Sequence, residues 1–220
     1  MVSNSERQTI AIVGGTFDPV HFGHLRLSEE LAEALHCYSN KLSVRLMVVS
    51  QPPHRSQPVV AANKRAEMVK LAISDSETLE VDEREINRDG VSFSYLSIEE
   101  LAAEYPDARL IWVLGDDAFE GLDKWRNWQA ICKAVSFIVV ARPGARRHRL
   151  NAEVGKVLTE STSIEQLMEK SFGSFFRYSG PNLDISSTQI RELLQQKRSC
   201  RFLLPDSVIE YIQQYRLYEN

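Results

Sequence analysis

An apolar run, Thr9 to Val13, leads directly into Gly14-Gly15-Thr16-Phe17-Asp18-Pro19-Val20-His21-Phe22-Gly23-His24, and this junction constrains the chain more than any other part of its 220 residues. The run reads as a strand buried on both faces. The glycines that follow let backbone N–H groups approach an anion closely. A helix beginning near Gly23 adds its positive N-terminal dipole at the same spot. His21 and His24, three positions apart, then face one ligand across the first helical turn, and imidazoles can donate to phosphate oxygens and carry charge near neutral pH. The junction reads as a turn that handles nucleotide phosphates, whereas the bare H-x-x-H spacing alone fits two unrelated histidines equally well.

Two commoner phosphate patterns are absent. The stretch contains neither G-x-G-x-x-G nor G-x-x-x-x-G-K-[ST], which excludes a dinucleotide-binding dehydrogenase and a P-loop kinase from what these residues spell. Three further runs, Val44 to Val49, Leu110 to Leu114 and Val135 to Ala141, also look like strands buried on both faces. Between them the apolar spacing is helical: Leu27, Leu31, Ala34 and Leu35; Met68, Val69, Ala72 and Ile73; Ile98, Leu101, Ala102 and Tyr105, with Pro106 beyond. This alternation predicts right-handed βαβ units in an open, doubly wound parallel sheet. Each strand run is followed by a polar cluster: 14–24, 50–55, 115–117 and 142–144. Ligands in such sheets bind beyond the carboxyl ends of the strands, so the clusters are expected to meet in one crevice, although strand ends also need polar turn residues for their own sake.

Composition narrows the partners. A net charge of −4 argues against broad binding to nucleic acid or anionic membrane, so an anionic substrate must be met by a local basic pocket. No apolar stretch approaches the length of a bilayer span, the start of the chain lacks the pattern of a signal peptide, and a cytoplasmic location is expected. Cys37, Cys132 and Cys200 are odd in number and widely separated, which predicts reduced, mostly buried thiols rather than disulfides or a zinc site. The basic run 145–149 reads as a solvated loop. With 43% hydrophobic residues the chain suits one α/β domain over 1–220, with a helical C-terminal part from about 184. There, Ser186 and Gln189 are spaced as a capping box, which either caps a helix or adds a second anion site. The last helix, from about Asp206, carries Val208, Tyr211, Ile212 and Tyr215 as a core stripe.

The motif T-F-D-P-V-H-x-G-H resembles that of the nucleotidyltransferase superfamily that shares H-x-G-H with class I aminoacyl-tRNA synthetases. Pro52-Pro53-His54-Arg55, Gly115-Asp116-Asp117 with Trp125 eight residues beyond, Arg142-Pro143-Gly144, the 185–191 segment and the 202–206 ending narrow it: together they look like the bacterial nicotinate-nucleotide adenylyltransferase family, from about Ile10 to Tyr218. The resemblance implies a Rossmann-like nucleotidyltransferase fold and the substrates ATP and nicotinate mononucleotide. It implies that Gly14, Gly15, Thr16, Phe17, His21 and His24 hold the ATP phosphates, with Ser187, Thr188 and Arg191 opposite. His54, Arg55, Ser94, Asp117, Trp125 and Arg142 would meet the nicotinate nucleotide, and His21, His24, Arg55 and Asp117 would serve catalysis. An indole face suits a flat pyridinium cation, which supports Trp125, while Trp128 is read as a packing residue.

Two departures from the family pattern stand out. Ser92-Phe93-Ser94 replaces the usual S-Y-T, and Val48-Val49-Ser50 lacks the usual proline at the end of the second strand. Magnesium is expected to arrive with ATP, with no dedicated metal ligands. Asp18 remains open between a ligand and a structural residue of the Asp-Pro turn. The alternatives are an adenylyltransferase for nicotinamide mononucleotide or phosphopantetheine, or a non-catalytic nucleotide sensor on the same fold.

Overall fold

The computed structural model describes residues 6–53, 57–141, 150–181 and 183–219. His54, Arg55 and Arg142, together with the 145–149 run, lie outside them. The elements in chain order are β1 (Thr9–Gly15), α1 (Phe22–His36), β2 (Leu42–Val48), α2 (Ala62–Ala72), β3 (Leu79–Asp82), α3 (Ser94–Glu104), β4 (Arg109–Gly115) and α4 (Asp116–Glu120). They continue with α5 (Trp128–Ala134), β5 (Ser136–Val140), α6 (Ala152–Gly155), β6 (Thr159–Glu160), α7 (Ile164–Glu169), β7 (Ser174–Tyr178), α8 (Ser187–Gln195) and α9 (Asp206–Gln214).

The strands form one seven-stranded sheet in the order β3-β2-β1-β4-β5-β7-β6, and every pairing is parallel. Successive side chains on a strand point to opposite faces, and β1 shows both faces covered. Ala11 and Val13 pack with Leu31 and Leu35 of α1, Met68 of α2 and Val208 of α9. Ile10 and Ile12 pack on the other side with Ile98 and Leu101 of α3 and Ile131 of α5. This doubly covered core is why the four strands legible in the sequence are continuous apolar runs rather than alternating ones.

Strands β3, β6 and β7 were not foreseen. Strand β6 is two exposed residues, too short and too polar to carry a pattern, and β3 has only Leu79 and Asp82 buried. On α9, Val208 and Ile212 are buried as expected, but the predicted core stripe fails at Tyr215, which is 47% exposed. Its ring packs on Tyr211 at 4.6 Å between centroids and lies 3.8 Å from the Lys64 ammonium, a surface arrangement that uses the aromatic face without burying it. Of the cysteines, Cys132 and Cys200 are buried and Cys37 is exposed.

Strand order reverses at β1, whose neighbours are β2 and β4. The polar clusters after β2, β1 and β4 therefore leave from the carboxyl ends of adjacent strands, at the point where such sheets open a crevice.

Candidate active site

The turn after β1 is shaped by Gly15, Phe17 and Gly23. Gly15 is needed because a Cβ there would lie 2.9 Å from the Phe17 ring. Phe17 itself takes a left-handed backbone, φ 47°, is buried, and sets its ring edge-on to His24 at 5.0 Å. Its side chain thus supports the His24 ring and is closed off from solvent. Gly23 is equally constrained, since a Cβ would meet the His21 ring at 3.0 Å.

His21 caps α1 in an extended conformation, and its carbonyl accepts from the His24 N–H at 2.9 Å. The two imidazoles stack with centroids 3.7 Å apart. Burial lowers the His21 pKa to about 4, and burial followed by the neighbouring His21 holds His24 well below the ordinary histidine value. Desolvation thus favours the neutral form of both rings. Nδ1 of each ring is buried and has no hydrogen-bond partner among the described residues. Buried polar atoms rarely go unpaired, so the pair keeps hydrogen-bonding capacity for a ligand.

Asp18 resolves as structural. Its carboxylate is buried; Oδ2 accepts from the Val59 N–H at 2.7 Å and Oδ1 from the Tyr218 hydroxyl at 2.7 Å. Its carbonyl accepts from Arg191 Nη1 at 2.7 Å. Arg191 also donates through Nη2 to the Thr188 hydroxyl at 3.1 Å, and the Ser187 hydroxyl donates to the Pro19 carbonyl at 2.9 Å. Ser187, Thr188 and Arg191 are thus brought against the phosphate turn, partly committed to holding α8 onto it. Ser186 caps α8 by accepting from the Gln189 N–H at 3.2 Å. Both readings of the capping box describe the same place: the cap positions a helix N-terminus beside the turn.

On the β4 side, a Cβ at Gly115 would lie 2.7 Å from Asp117 Oδ1, a contact the exposed Asp117 side chain can relieve by turning outward. Asp117 is exposed at the start of α4, whereas Asp116 is buried and pairs with Arg177 Nη1 at 2.6 Å. Ser94 begins α3, and the segment before it is tied to the end of β2: Ser92 Oγ accepts from the N–H groups of Ser50 and Gln51, each at 3.1 Å. Beneath this segment the buried Glu85 accepts from Ser97 Oγ at 2.8 Å, and burial raises its pKa. Trp125 and Trp128 are both half-buried against the α3 and α5 side of the sheet, so packing does not separate their roles. The Arg126 guanidinium lies 5.1 Å from the Phe93 ring centroid and 5.7 Å from that of Tyr95, which brings the Trp125 segment against the Ser94 segment.

Concavity alone points elsewhere. A cavity of about 540 Å³ lies between α8 and α9, lined by Lys197, Arg198 and Glu210 among others, and none of the residues at the strand ends reaches it.

The residue that sequence reasoning missed is Arg65 on α2. Its guanidinium is 1% exposed and donates to the carbonyls of Thr16, Ser50 (3.2 Å) and Val60 (2.8 Å). The signal that could have found it is its place on the apolar stripe of α2, three, four and seven positions before Met68, Val69 and Ala72.

Comparison with known proteins follows this geometry. The cytidylyltransferase-like family model matches residues 12–193. A protein of Psychromonas ingrahamii named probable nicotinate-nucleotide adenylyltransferase is 38% identical over 97% of this chain and 99% of its own length. One of Hahella chejuensis with the same name is 39% identical over 97% of each. Among solved structures, the Plasmodium falciparum nicotinic acid mononucleotide adenylyltransferase complexed with NaAD superposes with a TM-score of 0.71 over 96% of this chain and 98% of its own, at 17% identity, and shares the fold.

Proposed function

This chain belongs to the cytidylyltransferase-like family and, within it, to the nicotinate-nucleotide adenylyltransferases, and on that footing we propose that its strand-end crevice transfers the adenylyl group of ATP to nicotinate mononucleotide in NAD biosynthesis. The observation that carries this reading at the level of chemistry is the stacked His21–His24 pair, neutral and with unpaired ring nitrogens, at the start of α1 beside the turn after β1.

A phosphate oxygen of nicotinate mononucleotide attacks the α-phosphorus of ATP in line. The new P–O bond forms as the bond to the α,β-bridging oxygen breaks, and pyrophosphate leaves with that electron pair. The attacking oxygen is already anionic at pH 7, so a general base adds little; the protein's task is positioning and charge stabilisation. Gly14, Gly15 and Thr16 receive the phosphates through backbone and hydroxyl donors, while His21 and His24 donate N–H groups to the oxygens where charge builds up. Triphosphate nearby raises the proton affinity of both rings. Ser187, Thr188 and Arg191 flank the phosphates from α8, with Arg191 toward the departing pyrophosphate; its five N–H donors exceed the two bonds described above.

Trp125 offers its indole face to the pyridinium ring, Ser94 lies toward the acceptor's carboxylate, and Asp117 contacts the nucleotide. His54, Arg55 and Arg142 are proposed for the acceptor on sequence resemblance, since they lie outside the described residues.

Magnesium is proposed to come with ATP. Among the described residues no group of three His, Cys, Asp or Glu side chains is placed to hold a metal, and both Asp18 carboxylate oxygens already accept hydrogen bonds. The ion, carried by triphosphate and water, would supply charge neutralisation. No helix among the described residues is long and apolar enough to cross a membrane, and a cytoplasmic location is proposed.

The deciding experiment is pyrophosphate release from ATP and Mg²⁺ with nicotinate mononucleotide, nicotinamide mononucleotide and phosphopantetheine supplied separately. Fast release with the first alone is expected. Preference for another acceptor overturns the substrate assignment, and ATP binding without release with any of them overturns turnover itself.

A further inference from the structure

We propose that Arg65 is a positioning residue that holds the acceptor side of the crevice in register with the ATP phosphates. The inference rests on the activity proposed above and adds a residue to it. Three carbonyls meet one guanidinium: Thr16 in the phosphate turn after β1, Ser50 just beyond β2, and Val60 just before α2. Ser50 and Val60 are the two feet of the segment that joins β2 to α2. The neighbouring Val59 N–H is itself held by Asp18 Oδ2, and the N–H groups of Ser50 and Gln51 reach Ser92 Oγ, two residues before Ser94. One fork therefore connects the phosphate turn to the acceptor segment at Ser92–Ser94 through a chain of named hydrogen bonds.

Burying a cation is costly, and an apolar side chain of similar volume would fill this space with less desolvation penalty. What it could not do is bind carbonyls from three segments at fixed angles, a capability specific to the rigid guanidinium fork. Lysine keeps the charge but presents a single ammonium on a flexible stem. In-line attack depends on the two reactants being held at the right separation, and a misplacement of about 1 Å can cost on the order of 10²-fold in rate.

The test is Arg65→Lys, assayed well below its melting temperature, with ATP affinity measured separately in the absence of acceptor. Expected are a kcat about 10- to 100-fold lower and a raised KM for nicotinate mononucleotide, while the ATP dissociation constant stays within about threefold of wild type. A variant that melts earlier but keeps kcat and acceptor KM within about twofold overturns the proposal, since a purely structural residue moves only stability. Ser92→Ala breaks the same chain at Ser50 without touching the buried charge. It should shift kcat and acceptor KM in the same sense by about 3- to 10-fold, decides alone if Arg65→Lys does not fold, and overturns the proposal if both constants are unchanged. Wild-type protein that fails to use nicotinate mononucleotide would instead defeat the underlying activity.

Discussion

The side of the crevice proposed for phosphate and the side proposed for the acceptor are built in different ways. Around Asp18, hydrogen bonds arrive from the segment before α2, from α8 and from beyond α9, and the stacked His21–His24 pair lies beside that frame. The other side is joined differently: the Trp125 segment meets the Ser94 segment through a guanidinium laid over two rings, while exposed residues, Thr188 on one side and Asp117 on the other, stand among half-buried ones. Donors that must be in place before charge develops gain most from a rigid, dry frame. Choice among acceptors depends on differences of a few kcal/mol, which partly exposed segments can supply and vary without disturbing the chemistry.

The largest effect that would test this contrast is in turnover. His24→Ala is expected to lower kcat by about 10²- to 10³-fold, the scale of losing one preorganised donor, with the acceptor KM little changed. Near-normal turnover would show that the buried side is a scaffold and that catalysis lies elsewhere. Next in size is a pH effect from the stacked histidines. An unfolded histidine titrates near 6.5, whereas folded His21 does so at about 4 and His24 also well below its ordinary value. Between those limits the unfolded chain binds more protons, so stability is full above about 6.5 and falls as pH drops toward 4, by up to about 1.4 kcal/mol per pH unit per histidine. Glu85, with its pKa raised, acts in the opposite sense. Urea midpoints measured from pH 7 to 5 should fall less steeply for His24→Ala than for wild type; equal slopes would mean that the histidines are not titrating as described. The smallest effect belongs to the acceptor side. Trp125→Ala removes a cation–π platform of about 1 to 2 kcal/mol, which raises the acceptor KM by roughly 5- to 30-fold and leaves ATP binding intact. Loss of ATP affinity in that variant would erase the division between the two sides.

How much of this was legible depended on range. Strands β1, β2, β4 and β5 and helices α1 to α3 show themselves through local sequence pattern, and Gly15 and Gly23 stand where a side chain would crowd a buried ring. The residues that organise the site do so over long separations: a cation on the apolar stripe of α2 signals burial, but nothing local names its partners. Arg65 is one cation among several on α2, and its partners at Thr16 and Ser50 lie 49 and 15 positions away. Ser187 and Arg191 were read as contacts to triphosphate; the fold shows that part of their hydrogen bonding first secures the turn. Even the charge of the histidines followed from burial that no motif encodes.

The bond between Tyr218 and Asp18 spans 200 positions and carries a consequence for the order in which the protein is made. The turn leaves the ribosome with every residue of its motif present 200 positions ahead of the hydroxyl that completes its buried carboxylate. Domains fold as units during synthesis, and contacts between distant positions form late. A nascent chain can thus display the glycines and histidines of the turn long before Asp18 has both its partners, so that binding competence is expected to come with the segment around Tyr218 rather than with the motif.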